Sequence, residues 1–202
     1  EIFIEALGVR YVVLGDDFRF GADRQGDIEF IQQQGQRYGY EAGPTPTYSV
    51  ADDRVSSTRI REALESADFD SAEALLGRPY SISGRVIYGR QLGRTIGTPT
   101  ANLELRRLRA PLSGVYVVQV SGGGLDKVAG VANVGVRPTV DDSIKANLEV
   151  HLLDREIELY GQHIEVTFRH KLRDEKKFDS VEELQENIAR DIANTRSWFE
   201  QG

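Results

Sequence analysis

Apolar positions recur with two different periods along this 202-residue chain, and the switch between them divides it. Val9 to Leu14 (VRYVVL) is a short, nearly continuous apolar run ending at Gly15, the pattern of a buried parallel strand. Ile28 to Tyr38 then takes helical spacing, with Ile28, Ile31 and Tyr38 facing inward and Gly35 interrupting. Tyr48 to Val50 reads as a further strand. Ile60, Ala63 and Leu64 share one helix face, and Phe69, Ala72, Leu75 and Leu76 share another that Gly77 closes. Arg78-Pro79 breaks the pattern, because proline disfavours helix in the residue before it, so a domain boundary is expected at 78.

Beyond Pro79 the period shortens. Tyr80–Tyr88, Thr98–Leu105, Gly114–Val120, Lys127–Val134, Ala146–Leu153 and His163–Arg169 are short strand-like runs. Turn signals separate them, among them Gly122-Gly123-Gly124, Arg137-Pro138 and Tyr160-Gly161. Six such runs predict a closed antiparallel barrel or a sandwich. The tail reverts to helical spacing through Val181, Leu184, Ile188 and Ile192, with Ser180 and Glu183 forming a capping box.

Composition narrows what such a chain does. A net charge of −7 and a pI near 5.1 disfavour a general binder of nucleic acid or membrane surface, since both demand many phosphate contacts. An oligonucleotide-binding barrel fits poorly for the same reason. Cysteine is absent, which excludes a disulfide framework and fits a reducing cytoplasm. No apolar run reaches spanning length, and no basic-then-apolar signal layout opens the chain. Methionine is absent even at position 1, so the chain is expected to begin inside a longer or processed gene product.

The chemistry concentrates in Gly89–Leu103, GRQLGRTIGTPTANL. Gly89, Gly93 and Gly97 let backbone N–H groups approach phosphate oxygens, and Arg90 and Arg94 add paired donors. If Thr98 to Leu103 is extended, Thr98, Thr100 and Asn102 share a polar face whose oxygens suit a hard ion such as Mg²⁺. The competing reading is a glycine-rich hairpin loop with threonines on an exposed face. Elsewhere, Asn147, Glu149 and His151 alternate with Leu148, Val150 and Leu152, which alone marks Glu149 as an ordinary outward carboxylate. The run Lys171–Ser180 mixes charges around Phe178, an arrangement able to cover a flat heteroaromatic ring. Ser56-Ser57-Thr58 before a helix reads first as capping, and second as a phosphate site.

Four stretches of the chain resemble known families. GRQLGRTIGTPTAN closely resembles the G-x-x-x-G-x-P-T-A-N signature of riboflavin kinases, and LRDEKKFDS resembles the stretch those enzymes fold over the flavin. GDDFRFG (Gly15–Gly21) with SSTRIR (Ser56–Arg61) resembles the later half of the FMN adenylyltransferase domain in bifunctional bacterial FAD synthetases. The resemblance implies residues 1–78 as the C-terminal part of a Rossmann-like nucleotidyltransferase domain. It implies residues 79–202 as a riboflavin kinase domain, a six-stranded antiparallel Greek-key β-barrel with a C-terminal helix. The implied reaction is Mg²⁺-dependent transfer from ATP to riboflavin, giving FMN and ADP.

Carried over residue by residue, Glu149 becomes the catalytic carboxylate. Gly89, Arg94, Thr100, Leu152, Asp154 and Tyr160 become ATP contacts, and Thr100 and Asn102 the metal ligands. Arg173, Lys176 and Phe178 become flavin contacts, and His151 a structural residue. Ser57, Thr58 and Arg61 match the triphosphate-contacting segment of the adenylyltransferase, whose opening strand and histidine motif precede residue 1. The alternatives are residual FMN adenylyltransferase activity making FAD, or a flavin-binding barrel without catalysis. The expected partners are small-molecule substrates alone, in the cytoplasm, without nucleic acid or membrane.

Overall fold

The computed structural model describes residues 2–15, 17–45, 48–50, 53–89, 97–103, 105, 111–138, 144–155 and 157–201. Two compact units make up the chain, Glu1–Val55 and Ser56–Gly202.

In the first unit, strand β1 (Tyr11–Gly15) pairs in parallel with β2 (Glu41–Thr45), and helix α1 (Ile28–Tyr38) connects them. Asp27 caps α1 by accepting from the Phe30 N–H at 3.0 Å, and Gly39, at φ 78°, ends it in the left-handed conformation. Gly35 is an interruption with a purpose. A side chain there would run into the Tyr40 carbonyl, and the Tyr40 hydroxyl donates to the Ile31 carbonyl at 3.0 Å, so the returning chain packs flat on the helix. Two expectations fail on burial. Tyr38 is turned outward, and Tyr11 and Val13 of β1 are 55% and 57% exposed, so this strand covers one face only. A continuous apolar run signals burial on both faces only where layers exist on both sides. A short antiparallel ribbon, β3 (Ser49–Val50) with β4 (Asp53–Arg54), completes this unit.

The second unit starts with two helices. Ser56 accepts from the Arg59 N–H and caps α2 (Ser57–Glu65), and Asp68 caps α3 (Phe69–Leu76) by accepting from Ser71. Hydrogen bonds from the Ser71 hydroxyl and then its N–H lower the Asp68 pKa, because they favour the charged carboxylate. Ala63, Leu64 and Ala72 join the same apolar core as the strands that follow, so the packing unit begins before residue 78.

Six strands close the barrel: β5 (Ser81–Ile87), β6 (Ala101–Leu103), β7 (Gly114–Gly122), β8 (Leu125–Pro138), β9 (Ile144–Leu152) and β10 (His163–Arg173). All pairings are antiparallel, in the order β10-β5-β6-β9-β8-β7 and back to β10. β7, β8 and β9 form a meander, and β6 lies beside β9 instead of its sequence neighbour β7, which is the Greek-key arrangement. The sandwich alternative is excluded by closure. Inside, Val118, Val120, Val134, Leu148, Val150, Val166 and Phe168 are fully buried, and Phe168 meets Tyr116 edge-on with centroids 5.4 Å apart.

Helix α4 (Val181–Gln201) follows the barrel and touches β7 and β8. Glu183 N–H donates to the Ser180 hydroxyl at 3.1 Å, but the returning bond of the capping box reaches the Asp179 N–H instead of Ser180. Val181 is exposed, and the most buried positions on α4 are Asp191 and Thr195. Among the described residues, no helix is long and apolar enough to cross a membrane.

Candidate active site

Strand register assembles the polar row. Asn102 on β6 and Asn133 on β8 both stand directly opposite Glu149 on β9. The residues flanking Glu149, Leu148 and Val150, point into the barrel core, so alternation turns Glu149 to the outer face together with both asparagines. Asn147 Nδ2 donates to Glu149 Oε1 at 2.9 Å, and the Thr100 hydroxyl lies 3.5 Å from Oε2. Asn102 is only 5% exposed. A Cβ on Gly89 would sit 2.5 Å from the Asn102 carboxamide, so glycine is what lets the loop backbone close over it.

Two cavities meet at Thr100. The larger, about 240 Å³, is lined by Thr98, Thr100, Glu149, Arg173, Lys176 and Phe178, with α4 residues behind them. The smaller, about 70 Å³, is lined by Thr100, Val150, Leu152, Arg155, Leu159 and Tyr160. Tyr160 stacks on Tyr88 with centroids 3.9 Å apart. The Thr98 hydroxyl is buried without a hydrogen-bond partner among the described residues.

The two cations that line the larger cavity are paired. Arg173 makes three hydrogen bonds to the Asp191 carboxylate, the shortest 2.8 Å, and its guanidinium carbon lies 5.5 Å from the Phe178 ring centroid. Lys176 Nζ is 5.6 Å from the same centroid and 2.6 Å from Glu183 Oε1. That Lys176 bond, with the Asp179 N–H, lowers the Glu183 pKa, and a bond from Lys171 likewise lowers that of Asp174. Phe178 is therefore held between two cations, each anchored to α4.

The comparisons with known proteins bear on this arrangement. A riboflavin kinase family model matches residues 76–199, which spans the whole barrel and most of α4. The chain belongs to the riboflavin kinase family. A FAD synthetase model matches residues 1–59. The bifunctional riboflavin kinase/FMN adenylyltransferase of Escherichia coli K12 is 48% identical over 199 residues, 98% of this chain and 63% of that protein. Its namesake from Pseudomonas fluorescens is 50% identical over 197 residues, with the same coverage. The chain thus spans 63% of the length of these curated relatives. A crystal structure of a Streptococcus pneumoniae protein described as a macrolide-efflux protein matches with TM-score 0.68 and 35% identity, covering 98% of this chain and 64% of that one.

Within this riboflavin kinase unit, only some of the positions picked out by resemblance come together. Glu149, Thr100, Arg173, Lys176 and Phe178 share the larger cavity, while Leu152 and Tyr160 share the smaller. Gly89 and Asn102 meet beside them. Asp154 lines neither cavity and pairs with Arg196 of α4 at 2.6 Å. Ser57 and Arg61 line a third, open cavity with Tyr80, Leu112, Lys171 and Asp174, and Thr58 does not line it. Arg94, with Arg90 and Gly93, lies outside the described residues. The His151 ring lines the larger cavity, and its Nδ1 donates to the Pro99 carbonyl at 2.9 Å.

Two residues of the site escaped the sequence reading. Asn133 interrupts the apolar run Val131–Val136 with an amide, and Asp191 places an acid three residues after Ile188 on the apolar stripe of α4. A lone polar group at a core position was the available signal in both cases.

Proposed function

We propose that this chain transfers the γ-phosphoryl group of ATP to the terminal ribityl hydroxyl of riboflavin, giving FMN and ADP. The observation that carries the reading is that Glu149 opens on the same cavity as Thr100, Arg173, Lys176 and Phe178, with Asn102 directly opposite it in the strand register. Flavin lies along Arg173, Lys176 and Phe178. ATP lies along Gly89 to Thr100 with Arg94 on its phosphates and Leu152 and Tyr160 on its nucleoside side, and Asp154 borders that side. Glu149 accepts the proton as the hydroxyl oxygen forms its bond to the γ-phosphorus and the bond to the ADP oxygen breaks. The oxygens of Thr100, just before β6, and Asn102, on β6, are hard donors over which the Gly89 backbone closes, a set that fits Mg²⁺. When bound there, that ion supplies charge neutralisation on the phosphate oxygens. Positioning and charge compensation carry most of the acceleration.

Incubating the protein with riboflavin, ATP and Mg²⁺ and chromatographing the flavins tests this. FMN is the expected product. Riboflavin that binds but stays unphosphorylated would show a flavin-binding barrel without catalysis.

The FAD synthetase match over residues 1–59 favours a second reading of the first region. We infer that residues 1–78 correspond to the C-terminal part of a Rossmann-like nucleotidyltransferase domain, for which the parallel β1-α1-β2 unit is the support. Ser57, Thr58 and Arg61 are then its triphosphate-contacting residues. FAD formed from FMN, ATP and Mg²⁺ would establish adenylyl transfer, and its absence would leave the kinase reaction alone. The reaction belongs in the cytoplasm, where both substrates are small and soluble.

A further inference from the structure

We propose that Asp191 is a positioning residue of the flavin side of the site, acting through Arg173 on Phe178. This rests on the riboflavin kinase reading of the same cavity. Asp191 is 5% exposed, on the face of α4 turned toward the strands, where an unpaired carboxylate would be strongly disfavoured. It is fully engaged: Arg173 Nε lies 3.1 Å from Oδ1 and 3.2 Å from Oδ2, and Nη2 lies 2.8 Å from Oδ2. A fork-on-carboxylate pair of this kind fixes the guanidinium plane as well as its place.

The plane matters because of what it touches. Arg173 Nη1 donates to the Asp174 carbonyl at 3.1 Å, and the guanidinium lies against the Phe178 ring. Asp191 therefore sets the start of the 174–178 segment, while Glu183, eight residues earlier on α4, sets its middle through Lys176. The strand end is prepared for this. The register between β10 and β7 shifts between Lys171 and Arg173, and Gly114, at φ 123°, lets the Arg173 carbonyl pass where a Cβ would stand 2.5 Å away. The aromatic wall thus takes its place from a carboxylate on the helix behind it. The nucleotide-side cavity does not include Asp191 or Arg173, so the effect is confined to one substrate.

Asp191→Asn keeps the shape and removes the charge. Steady-state kinetics well below the variant's own unfolding midpoint are expected to show the riboflavin KM raised at least about tenfold, as for the loss of a charge-assisted hydrogen bond, with the ATP KM unchanged. Asp191→Glu, which restores a carboxylate on a longer arm, is expected to recover part of the riboflavin KM. A purely structural role predicts a lower unfolding midpoint with both KM values as in the wild type, and that result overturns the inference. If the Asn variant does not fold, the Glu variant decides alone: a raised riboflavin KM with normal ATP KM supports the inference, and two normal values overturn it. The wild-type protein separates this from the functional reading. Failure of the wild type to bind riboflavin overturns both, whereas wild-type binding that neither variant weakens overturns this inference only.

Discussion

The two units of this chain use the same ingredients and reach different ends. Residues 1–55 carry a parallel strand pair joined by an α-helix, and half the apolar side chains of β1 remain in solvent. Residues 56–202 close six strands on themselves and bury a continuous column of valine, leucine and phenylalanine. Closure is the difference. A two-stranded sheet has two open edges and needs cover on both faces, while a barrel removes its edges and makes its own interior. A rigid interior then allows the outer face to carry function. Glu149, Asn102 and Asn133 are held in register because Leu148, Val150, Ala132, Val134 and Leu103 beside them are locked inside.

The largest expected effect tests whether that outer row does the chemistry. Glu149→Ala should reduce FMN formation by about 10²- to 10⁴-fold, the range for loss of a positioned general base, with the unfolding midpoint little changed. Asn102→Ala should cut turnover comparably, with some loss of stability because the carboxamide is buried. Near-normal kinase rates in both variants would remove the site from this face of the barrel. Among the described residues, none that lines either cavity comes from residues 1–55, so a 56–202 fragment should still make FMN.

Next come changes to the interior. Phe168 is fully buried and contacts the rings of Phe69, Tyr80 and Tyr116, so Phe168→Ala should cost about 3–5 kcal/mol. That is a large share of the roughly 5–15 kcal/mol of a typical domain. Denaturant unfolding followed by the fluorescence of Trp198, the single tryptophan, reads the barrel unit alone.

Much of the barrel was legible because alternation is local. All six strands and α4 fall where the apolar period places them, and α1, α2 and α3 match as well. β6 is shorter than its pattern, starting at Ala101, since Pro99 has no N–H for a ladder and its carbonyl is taken by His151. What was not legible depends on distant partners. The exposure of Tyr11 and Val13 depends on how many layers cover β1, and no period records that. Asn133 and Asp191 were visible as polar intrusions, but their use depends on Glu149 and Arg173, 16 and 18 residues away along the chain. The motif around Gly89 pointed to a phosphate loop, whereas the closeness of its glycine to the Asn102 carboxamide is a fact of three dimensions.

A buried phenol gives the barrel a pH signature. Burial pushes the Tyr116 pKa up to about 12, and its hydroxyl donates to the Ser113 carbonyl at 2.7 Å. An unfolded tyrosine titrates near about 10. Between these values the native state keeps a proton that the unfolded chain has lost, so stability is intact below the lower value and falls as pH rises through the window. Tyr116→Phe should flatten that fall while costing about 1 kcal/mol at neutral pH for the lost hydrogen bond. An equally steep alkaline loss in the variant would assign it to another group.

The smallest effect sharpens the comparison most directly, because one substitution can be placed in both units. Valine to threonine keeps the β-branch and replaces one methyl with a hydroxyl of similar size. At Val150, sealed inside the barrel, that hydroxyl lacks water and should cost about 1–3 kcal/mol. At Val13, 57% exposed on β1, the hydroxyl reaches solvent and the change should stay within about 0.5 kcal/mol. Hydrogen exchange of the β1 and β2 amides reads the second value where Trp198 cannot. A cost at Val13 matching that at Val150 would mean that the open face of β1 is covered in solution, and the contrast between a half-covered pair and a closed barrel would fail at its first term.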